Sequence, residues 1–391
     1  MLTGSSADLP PILKAMASMA NLMAAPDPAK EATTHFLRDQ FHRYYDNPNA
    51  PTMEEKGWLG ADLIFDLDAD HLPNAAKMSY PEMLEAIRLK IIHLYDDFLR
   101  SDFGFEEKAM RLVFSGGRGY HIHVFDERVW PLGSHERREI VDYITGKGLA
   151  VDSLFRESAF DKKEFQGHTR VKTMIVAPTK EDPGWRGKIM RGINSLAAKL
   201  ETLTSDEAIK FLTSFEGVKE GDAANLYENL FKPRQTKPRV IRGVDRLREG
   251  QIEALSDRNR DLIIRLVKEL QPVRIDEREG VSLDGIVQRG ETDEPVTSDI
   301  KRLIRMPSSL HGKTGLQVVP LSREAIDEFR PLRDAVPRAW TDDRVRMNLK
   351  NKITLEIRGE VFNLAPGVND VPQYLAIFLA ARGLATVMPE A

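Results

Sequence analysis

Two aspartates stand at the end of an apolar strand pattern in the segment ADLIFDLD, residues 61–68. Successive side chains of a β-strand point to opposite faces, so this pattern predicts one apolar face and one polar face. The apolar face would consist of Leu63, Phe65 and Leu67. Asp66 and Asp68 share the other face, about 7 Å apart along the strand. Such a strand fits a sheet that is covered on one side and open to polar chemistry on the other.

A helix and a second pair of strands are predicted after this segment. Ser79 and Glu82 match a capping box, which indicates that a helix begins directly after Ser79. Residues 111–115 and 121–125 predict two short strands. The glycine turn, by which we mean the residues GGRG at 116–119, would join these strands as a hairpin.

Strand patterns on both sides of a long helical stretch predict one interrupted α/β domain. Residues 186–280 are rich in Lys, Glu, Leu and Ala with helical spacing, and strand patterns return at 316–321 and 353–357. A final helix is expected at 371–382, with Asp370 as its N-cap. The expected divisions are an N-terminal extension at 1–33, the two parts of the α/β domain at 34–185 and 281–391, and a helical insertion at 186–280.

The composition excludes several classes of site. The 391 residues contain no cysteine, which rules out disulfides, thiol catalysis, thiolate-bound Fe–S clusters and Cys-based zinc sites. This absence fits a reducing, cytoplasmic compartment. The 56 Lys+Arg against 60 Asp+Glu give a net charge of −4, so the chain as a whole is not a basic nucleic-acid binder. No apolar run approaches the length of a membrane span.

The first 33 residues are expected to form an amphipathic terminal helix or a loosely ordered tail. The alternative is a helix that docks onto a partner. Lys14 interrupts the apolar spacing and no positive segment precedes it, so we do not expect a signal peptide. This extension is either authentic or a product of the choice of start codon.

The paired aspartates are candidate metal ligands. Two carboxylates on one strand face repel each other, and burial increases that repulsion. A divalent cation removes the conflict, and Mg²⁺ prefers carboxylate oxygens while keeping waters that substrate phosphates can replace. Asp66 and Asp68 could therefore bind such an ion. The alternative is a solvated strand end, and we expect Asp70 to be a solvated turn residue.

The glycine turn is a candidate phosphate site. Glycines allow backbone N–H groups to approach an anion closely, and Arg118 could form two parallel hydrogen bonds to phosphate oxygens. Ser115 and His121 add donors on either side of the turn. The alternative is an ordinary hairpin turn with an exposed arginine. His123 shares a face with His121, and we expect it to be packed or hydrogen-bonded rather than bound to a metal.

Another charged group follows the helical stretch. Asp293 supplies a further carboxylate. The cations that follow it are Arg305, His311 and Lys313. Cations beside an acidic metal cluster suit a triphosphate, because they neutralise the oxygens that lie away from the metal. The alternative is a charged amphipathic surface stretch.

The segment at residues 231–248, which we call the basic segment, is rich in cations and contains a single acid, Asp245. Its cations are Lys232, Arg234, Lys237, Arg239, Arg242, Arg246 and Arg248. Such a segment is a candidate contact for nucleic-acid phosphates. The alternative is a solvated linker or helix face.

Together these segments resemble the catalytic small subunit of the archaeal and eukaryotic DNA primases, and the archaeal form in particular. The resemblance rests on FDLDAD, FSGGRGYHIHVFD and PVTSDIKRLIRMPSSLHGKTG, in this order and spacing. It extends from about residue 34 to residue 383. It implies an α/β (α+β) fold with a mixed-sheet catalytic domain, an RRM-like half and a variable, mainly helical insertion.

The resemblance also implies roles for individual residues. Asp66 and Asp68 match the paired metal ligands of the family, and Asp293 matches its third catalytic aspartate. Asp299 is the competing candidate for that third place. The residues that match nucleotide-binding positions are Ser115, Arg118, His121, Arg305, His311 and Lys313.

These roles imply a DNA-templated nucleotidyltransferase that makes short RNA or mixed primers with Mg²⁺ or Mn²⁺. One ion would lower the pKa of the attacking 3′-hydroxyl, and a second would stabilise the leaving pyrophosphate. The implied partners are a primase large subunit, single-stranded DNA and nucleoside triphosphates. Many members of the family carry a Cys/His zinc site between the first two motifs, and we expect no zinc in this cysteine-free chain.

Three alternatives stay open at this point. The first is a stand-alone repair polymerase of the same superfamily, against which the helical insertion argues. The second is a metal-dependent nuclease or phosphohydrolase that uses the same acids with His121 and His123. The third is a catalytically inactive binding subunit, which the complete set of acids disfavours.

Overall fold

The computed structural model describes residues 43–389, apart from 48, 53, 73–74, 166–167, 216, 237–238, 253–254, 270–289 and 301–303. The predicted extension at 1–33 lies outside the described residues. The strands are β1 (Arg43–Tyr45), β2 (Trp58–Ala61), β3 (Leu63–Asp68), β4 (Met110–Phe114), β5 (Gly119–Val124), β6 (Arg156–Phe165), β7 (His168–Val176), β8 (Arg234–Thr236), β9 (Arg239–Ile241), β10 (Val319–Leu321), β11 (Arg344–Leu349), β12 (Ile353–Ile357), β13 (Glu360–Leu364), β14 (Gly367–Pro372) and β15 (Ala385–Val387). The helices are α1 (Tyr80–His93), α2 (Ser134–Thr145), α3 (Gly184–Thr202), α4 (Ser205–Thr213), α5 (Glu220–Phe231), α6 (Gly243–Arg248), α7 (Asp257–Glu269), α8 (Glu294–Ser298), α9 (Ala325–Glu328), α10 (Pro331–Asp334) and α11 (Gln373–Ala381). This combination of helices and antiparallel strands confirms the α+β class.

The chain divides into two compact units. The first unit contains the described residues up to Asp96, together with Gly104–Val141 and the chain from Glu291 onward. The second contains Asp97–Phe103 and Asp142–Gly290. The second unit therefore begins earlier than the predicted insertion at 186–280. It includes the hairpin of β6 and β7, which form a two-stranded antiparallel sheet of their own and show no helical spacing.

The first unit is built around a four-stranded sheet with the strand order β10-β4-β5-β3, whose pairs are all antiparallel rather than mixed as the resemblance implied. In such a sheet, directly paired residues point to the same face. The apolar face is formed by Leu63, Phe65, Leu67, Leu112, Phe114, Tyr120 and Ile122, all of them buried. On the opposite face Asp66 pairs with His121 and Asp68 pairs with Gly119. The two faces predicted from the strand pattern are therefore present, and the aspartates share one of them.

The helix α1 begins as the capping box predicts. The Ser79 hydroxyl accepts a hydrogen bond from the Glu82 amide at 3.5 Å, and the Glu82 carboxylate accepts one from the Ser79 amide at 2.7 Å. The buried positions of α1 include Leu84, Ile87 and Ile91. The helix contacts β3 and β5, so these apolar side chains contribute to the core beside the sheet.

The start of β3 is held by a buried arginine. Arg137 on α2 is 2% exposed and donates hydrogen bonds to four backbone carbonyls. Its acceptors are the carbonyl oxygens of Ala61, Asp62, Val129 and Leu132, at 2.7–3.2 Å. These bonds fix the backbone just before the two aspartates of β3. The neighbouring Asp62 carboxylate is buried as well, and burial raises its pKa to about 6.

The second unit is mainly helical and has its own hydrophobic core. Its buried side chains come from α3 to α7, and they include Leu196, Leu200, Leu212, Leu226 and Leu266. Lys188 and Asp102 form an ion pair at 2.8 Å in this unit, and both side chains are nearly inaccessible. The Lys188 ammonium also donates to the carbonyl oxygen of Asp97 at 2.6 Å, so the buried charge is satisfied.

The last helix begins later than predicted. Its N-cap is Pro372, and Asp370 belongs to β14, where it pairs with Arg346 on β11. The prediction of Asp370 as the N-cap was wrong because the backbone there continues a sheet of the order β14-β11-β15. Among the described residues, no helix has the length and apolar character needed to cross a membrane.

Candidate active site

The acidic face of the central sheet is organised around a carboxylate–imidazole contact. The Nε2 atom of His121 lies 3.2 Å from Oδ1 of Asp66, directly across the β3–β5 pair. The His121 side chain is 1% exposed, whereas that of Asp66 is 19% exposed. The structure thus brings together two predicted site residues that are 55 positions apart in the sequence. His123 lies two positions further along β5, buried and stacked against Phe125, as expected for a packed histidine.

Asp293 lies beside the same strand. Its backbone amide donates to the carbonyl oxygen of Asp66 at 2.8 Å, and the Thr292 hydroxyl donates to that oxygen at 3.4 Å. Asp293 is the N-cap residue of α8, and Asp299 is the C-cap residue at the other end of this short helix. The backbone geometry therefore joins Asp293, rather than Asp299, to the strand that carries the paired aspartates.

Ser115 shapes the glycine turn from within. Its hydroxyl oxygen accepts hydrogen bonds from the amides of Gly117 and Gly119, both at 3.3 Å. A Cβ atom on Gly119 would lie 2.2 Å from the carbonyl oxygen of Leu67, so β3 passes too close for any side chain at this position. The turn therefore lies directly beside the end of β3 that carries Asp68.

Arg118 projects from the turn toward two acids. Its Nε atom lies 3.7 Å from Oδ1 of Asp68, and its guanidinium forms an ion pair with Asp70. The sequence predicted Asp70 as a solvated turn residue. The Asp70 side chain is half exposed, but it has a cationic partner that lies 48 positions away and that no local pattern could indicate.

The imidazole of His311 lies across the glycine turn. A Cβ atom on Gly117 would lie 2.9 Å from Nε2 of His311, so a side chain at this position would have to displace the ring. The Lys313 amide donates to Nδ1 of His311 at 3.3 Å, and the Thr314 hydroxyl donates to the carbonyl oxygen of Gly116 at 2.5 Å. The HGKTG segment is thus joined to the turn, and Thr314 is a contact residue that the sequence analysis missed.

Burial and the neighbouring charges both affect the protonation of His311. Burial is the main cause that lowers the pKa of His311 to about 4, and the nearby cations Arg305, Lys313 and Arg118 lower it further. The carboxylate of Asp68 has a smaller opposing effect. His311 is therefore neutral near pH 7 and offers hydrogen bonds rather than a positive charge. Three of the predicted phosphate contacts, Arg118, Arg305 and Lys313, therefore lie within electrostatic range of the fourth, His311.

The donor set fits a hard divalent cation by its chemistry. Mg²⁺ in enzymes commonly takes one or two carboxylates and completes its shell with water and substrate phosphates. Asp66 and Asp68 supply such a pair on one strand face, with Asp293 joined to the same strand. Within the described residues, no three acidic or histidine side chains already converge as a metal cage.

Three cations of the basic segment have side-chain partners within the chain. Arg242 and Arg248 both pair with Glu201 of α3, at 2.6 and 2.5 Å, and Arg242 also pairs with Asp245 at 2.9 Å. Arg246 donates to the side chain of Gln251. Glu201 was missed because it precedes the segment by 30 positions or more.

Comparisons with known proteins identify the family of this chain. The sequence model of the DNA primase small subunit family matches residues 65–323. The chain is 42% identical over 348 residues to the DNA primase small subunit PriS of Methanococcoides burtonii, covering 88% of this chain and 81% of that protein. It is 39% identical to the PriS proteins of Methanocella arvoryzae and Halobacterium salinarum, again over 88% of this chain and 81% of each relative. The chain belongs to the DNA primase small subunit family.

Proposed function

We propose that this chain is the catalytic subunit of a DNA primase, which joins nucleotides on a DNA template to make primers for replication. The observation that carries this proposal is the arrangement of one sheet edge. Asp66 and Asp68 share a face of β3, and the glycine turn places Arg118 within 3.7 Å of Asp68. An acidic pair next to a glycine-rich, cationic turn suits the transfer of a nucleotidyl group from a nucleoside triphosphate.

The residues at this sheet edge have different roles in the proposed reaction. Asp66, Asp68 and Asp293 would hold Mg²⁺ or Mn²⁺, which supplies activation of the 3′-hydroxyl and charge neutralisation at the reacting phosphorus. Arg118 would exchange its carboxylate contacts for the triphosphate, to which a guanidinium can donate two parallel hydrogen bonds. Arg305 and Lys313 would neutralise the remaining oxygens. His311 would add a neutral donor, and His121 would orient the Asp66 carboxylate.

Membership of a small-subunit family implies a larger partner subunit. The single-stranded DNA template and the nucleoside triphosphates belong to the proposal. The experiment is a primer-synthesis assay on single-stranded DNA with labelled nucleotides, with and without the large subunit, in Mg²⁺ or Mn²⁺. We expect new strands that grow on the template and disappear when EDTA removes the ion. Degradation of the template would instead indicate the nuclease alternative, and failure to bind a large subunit would favour a stand-alone polymerase.

The ion pairs of the basic segment lead to a prediction about template binding. The double variant Arg242→Ala/Arg248→Ala should change the salt dependence of binding to single-stranded DNA by less than one phosphate contact, a slope change below about 0.7. The reason is that Glu201 and Asp245 already neutralise both side chains. Binding is measured by fluorescence anisotropy at several salt concentrations. A change in slope equal to one or more phosphate contacts would show that the basic segment contacts the template.

A further inference from the structure

Tyr80 makes a buried hydrogen bond to the glycine turn. Its hydroxyl donates to the carbonyl oxygen of Gly117 at 2.6 Å. Tyr80 is the first residue of α1 and lies 37 positions before Gly117, so none of the motifs in the sequence includes it. Burial raises the pKa of Tyr80 to about 12, so the hydroxyl keeps its proton and acts as a donor throughout the physiological range.

This bond determines the direction of a neighbouring amide. The carbonyl and the N–H of one planar trans peptide group point in opposite directions. Because Tyr80 binds the Gly117 carbonyl, the N–H of Arg118 must point away from Tyr80. In the part of the chain that the structure describes, this N–H has no protein acceptor. The Arg118 N–H can therefore donate a hydrogen bond to an anion that binds at the glycine turn.

Two residues pack against the Tyr80 ring and hold it in place. The Arg382 guanidinium lies over this ring at 4.2 Å from its centroid, and the ring of Phe378 packs at 5.9 Å. Both residues come from the end of α11. The hydroxyl is thus aimed at the turn by contacts from a different part of the chain, which limits its freedom to swing away.

A second hydrogen bond orients the preceding peptide group of the glycine turn. Thr314 donates to the Gly116 carbonyl at 2.5 Å. The amide of the following residue, Gly117, donates to the Ser115 hydroxyl. Two successive peptide groups of the glycine turn therefore have fixed orientations. Only the second of them, the one bound by Tyr80, leaves its N–H available for a ligand.

We infer that Tyr80 is a positioning residue for nucleotide binding: it holds the Gly117 carbonyl so that the backbone amide of Arg118 faces the triphosphate of the incoming nucleotide. This inference rests on the proposed function, because it concerns the same phosphate site. Without the hydroxyl, the peptide group between Gly117 and Arg118 gains rotational freedom. The triphosphate then has to order that group on binding, which weakens its affinity.

The test compares two tyrosine-to-phenylalanine variants. Tyr120 is a matched control, since it is also fully buried in this unit but its hydroxyl has no hydrogen-bond partner in the described residues. We expect Tyr80→Phe to raise KM for nucleoside triphosphates by roughly fivefold to tenfold, the value of one hydrogen bond, with kcat changed less than about twofold. Tyr120→Phe should leave both constants unchanged. The assay uses the full chain with its large subunit.

A second measurement separates positioning from a general structural role. Inorganic tripolyphosphate with Mg²⁺ carries no base or sugar, so its inhibition constant reports the phosphate site alone. It should rise in Tyr80→Phe by about the same factor as KM. If both variants lose thermal stability but keep the wild-type KM and inhibition constant, the inference is overturned. If the wild-type protein itself binds neither nucleotide nor tripolyphosphate, the proposed function fails and the inference falls with it.

Discussion

Replacing Asp66 with asparagine should abolish primer synthesis, with a loss of about 10³-fold or more, while the protein remains folded. Asparagine keeps the shape of the side chain but removes the negative charge that a divalent cation requires. We expect the variant to fold because the backbone pairing of β3 with β5 and the packing of its apolar face do not involve this carboxylate. Asp68→Asn should behave in the same way.

The third acid can be tested in the same experiment. Asp293→Asn should lose activity, whereas Asp299→Asn, at the opposite end of α8, should retain it. Initial rates of primer extension are measured over a range of Mg²⁺ concentrations, and circular dichroism checks that each variant is folded. Near-wild-type synthesis by the double variant Asp66→Asn/Asp68→Asn would contradict the metal assignment. If Asp299→Asn loses activity and Asp293→Asn keeps it, Asp299 rather than Asp293 is the third metal ligand.

The largest expected effect on stability comes from Arg137→Ala, which should lower the free energy of unfolding by about 3–5 kcal/mol. The substitution removes a buried guanidinium and leaves the carbonyl oxygens of Ala61, Asp62, Val129 and Leu132 without this donor. Buried acceptors that lose their partner retain the full cost of desolvation. Since these carbonyls lie at the start of β3, activity should fall together with stability.

The neighbouring residue provides the control for this prediction. Arg138 pairs with Glu294 at 2.8 Å, but both side chains are well exposed, so the pair is expected to contribute less than about 1 kcal/mol. Urea unfolding of Arg137→Ala and Arg138→Ala in the full chain gives both values. Equal effects of the two substitutions would show that the buried contacts of Arg137 are not important for the first unit.

Patterns that depend on neighbouring residues were predicted correctly from the sequence. The alternation in β3, the capping box at Ser79 and the hairpin around the glycine turn all follow from local backbone geometry. Each involves residues within a few positions of one another. The local preferences of these residues agree with the conformations that the fold requires of them.

The prediction of Asp370 as an N-cap failed because a strand that is distant in the sequence decided the outcome. Asp370 has the residue type of an N-cap, but pairing with β11 extends β14 through this position. Whether the basic segment contacts template phosphates stays a prediction, but its composition did not indicate that Glu201 of α3 pairs with Arg242 and Arg248. Charge counts along a segment omit such partners, because ion pairs depend on separation in space.

The sequence alone determined the α+β class, the face shared by Asp66 and Asp68, and the set of residues expected to bind a metal and phosphates. Only the tertiary structure decided how these residues meet: His121 against Asp66, Asp293 at the backbone of β3, and His311 across Gly117. It also introduced Tyr80, which no motif contains. The physical reason is separation along the sequence. The alternation of side chains depends on adjacent peptide units, whereas these hydrogen bonds and buried contacts join residues that only the folded chain brings together.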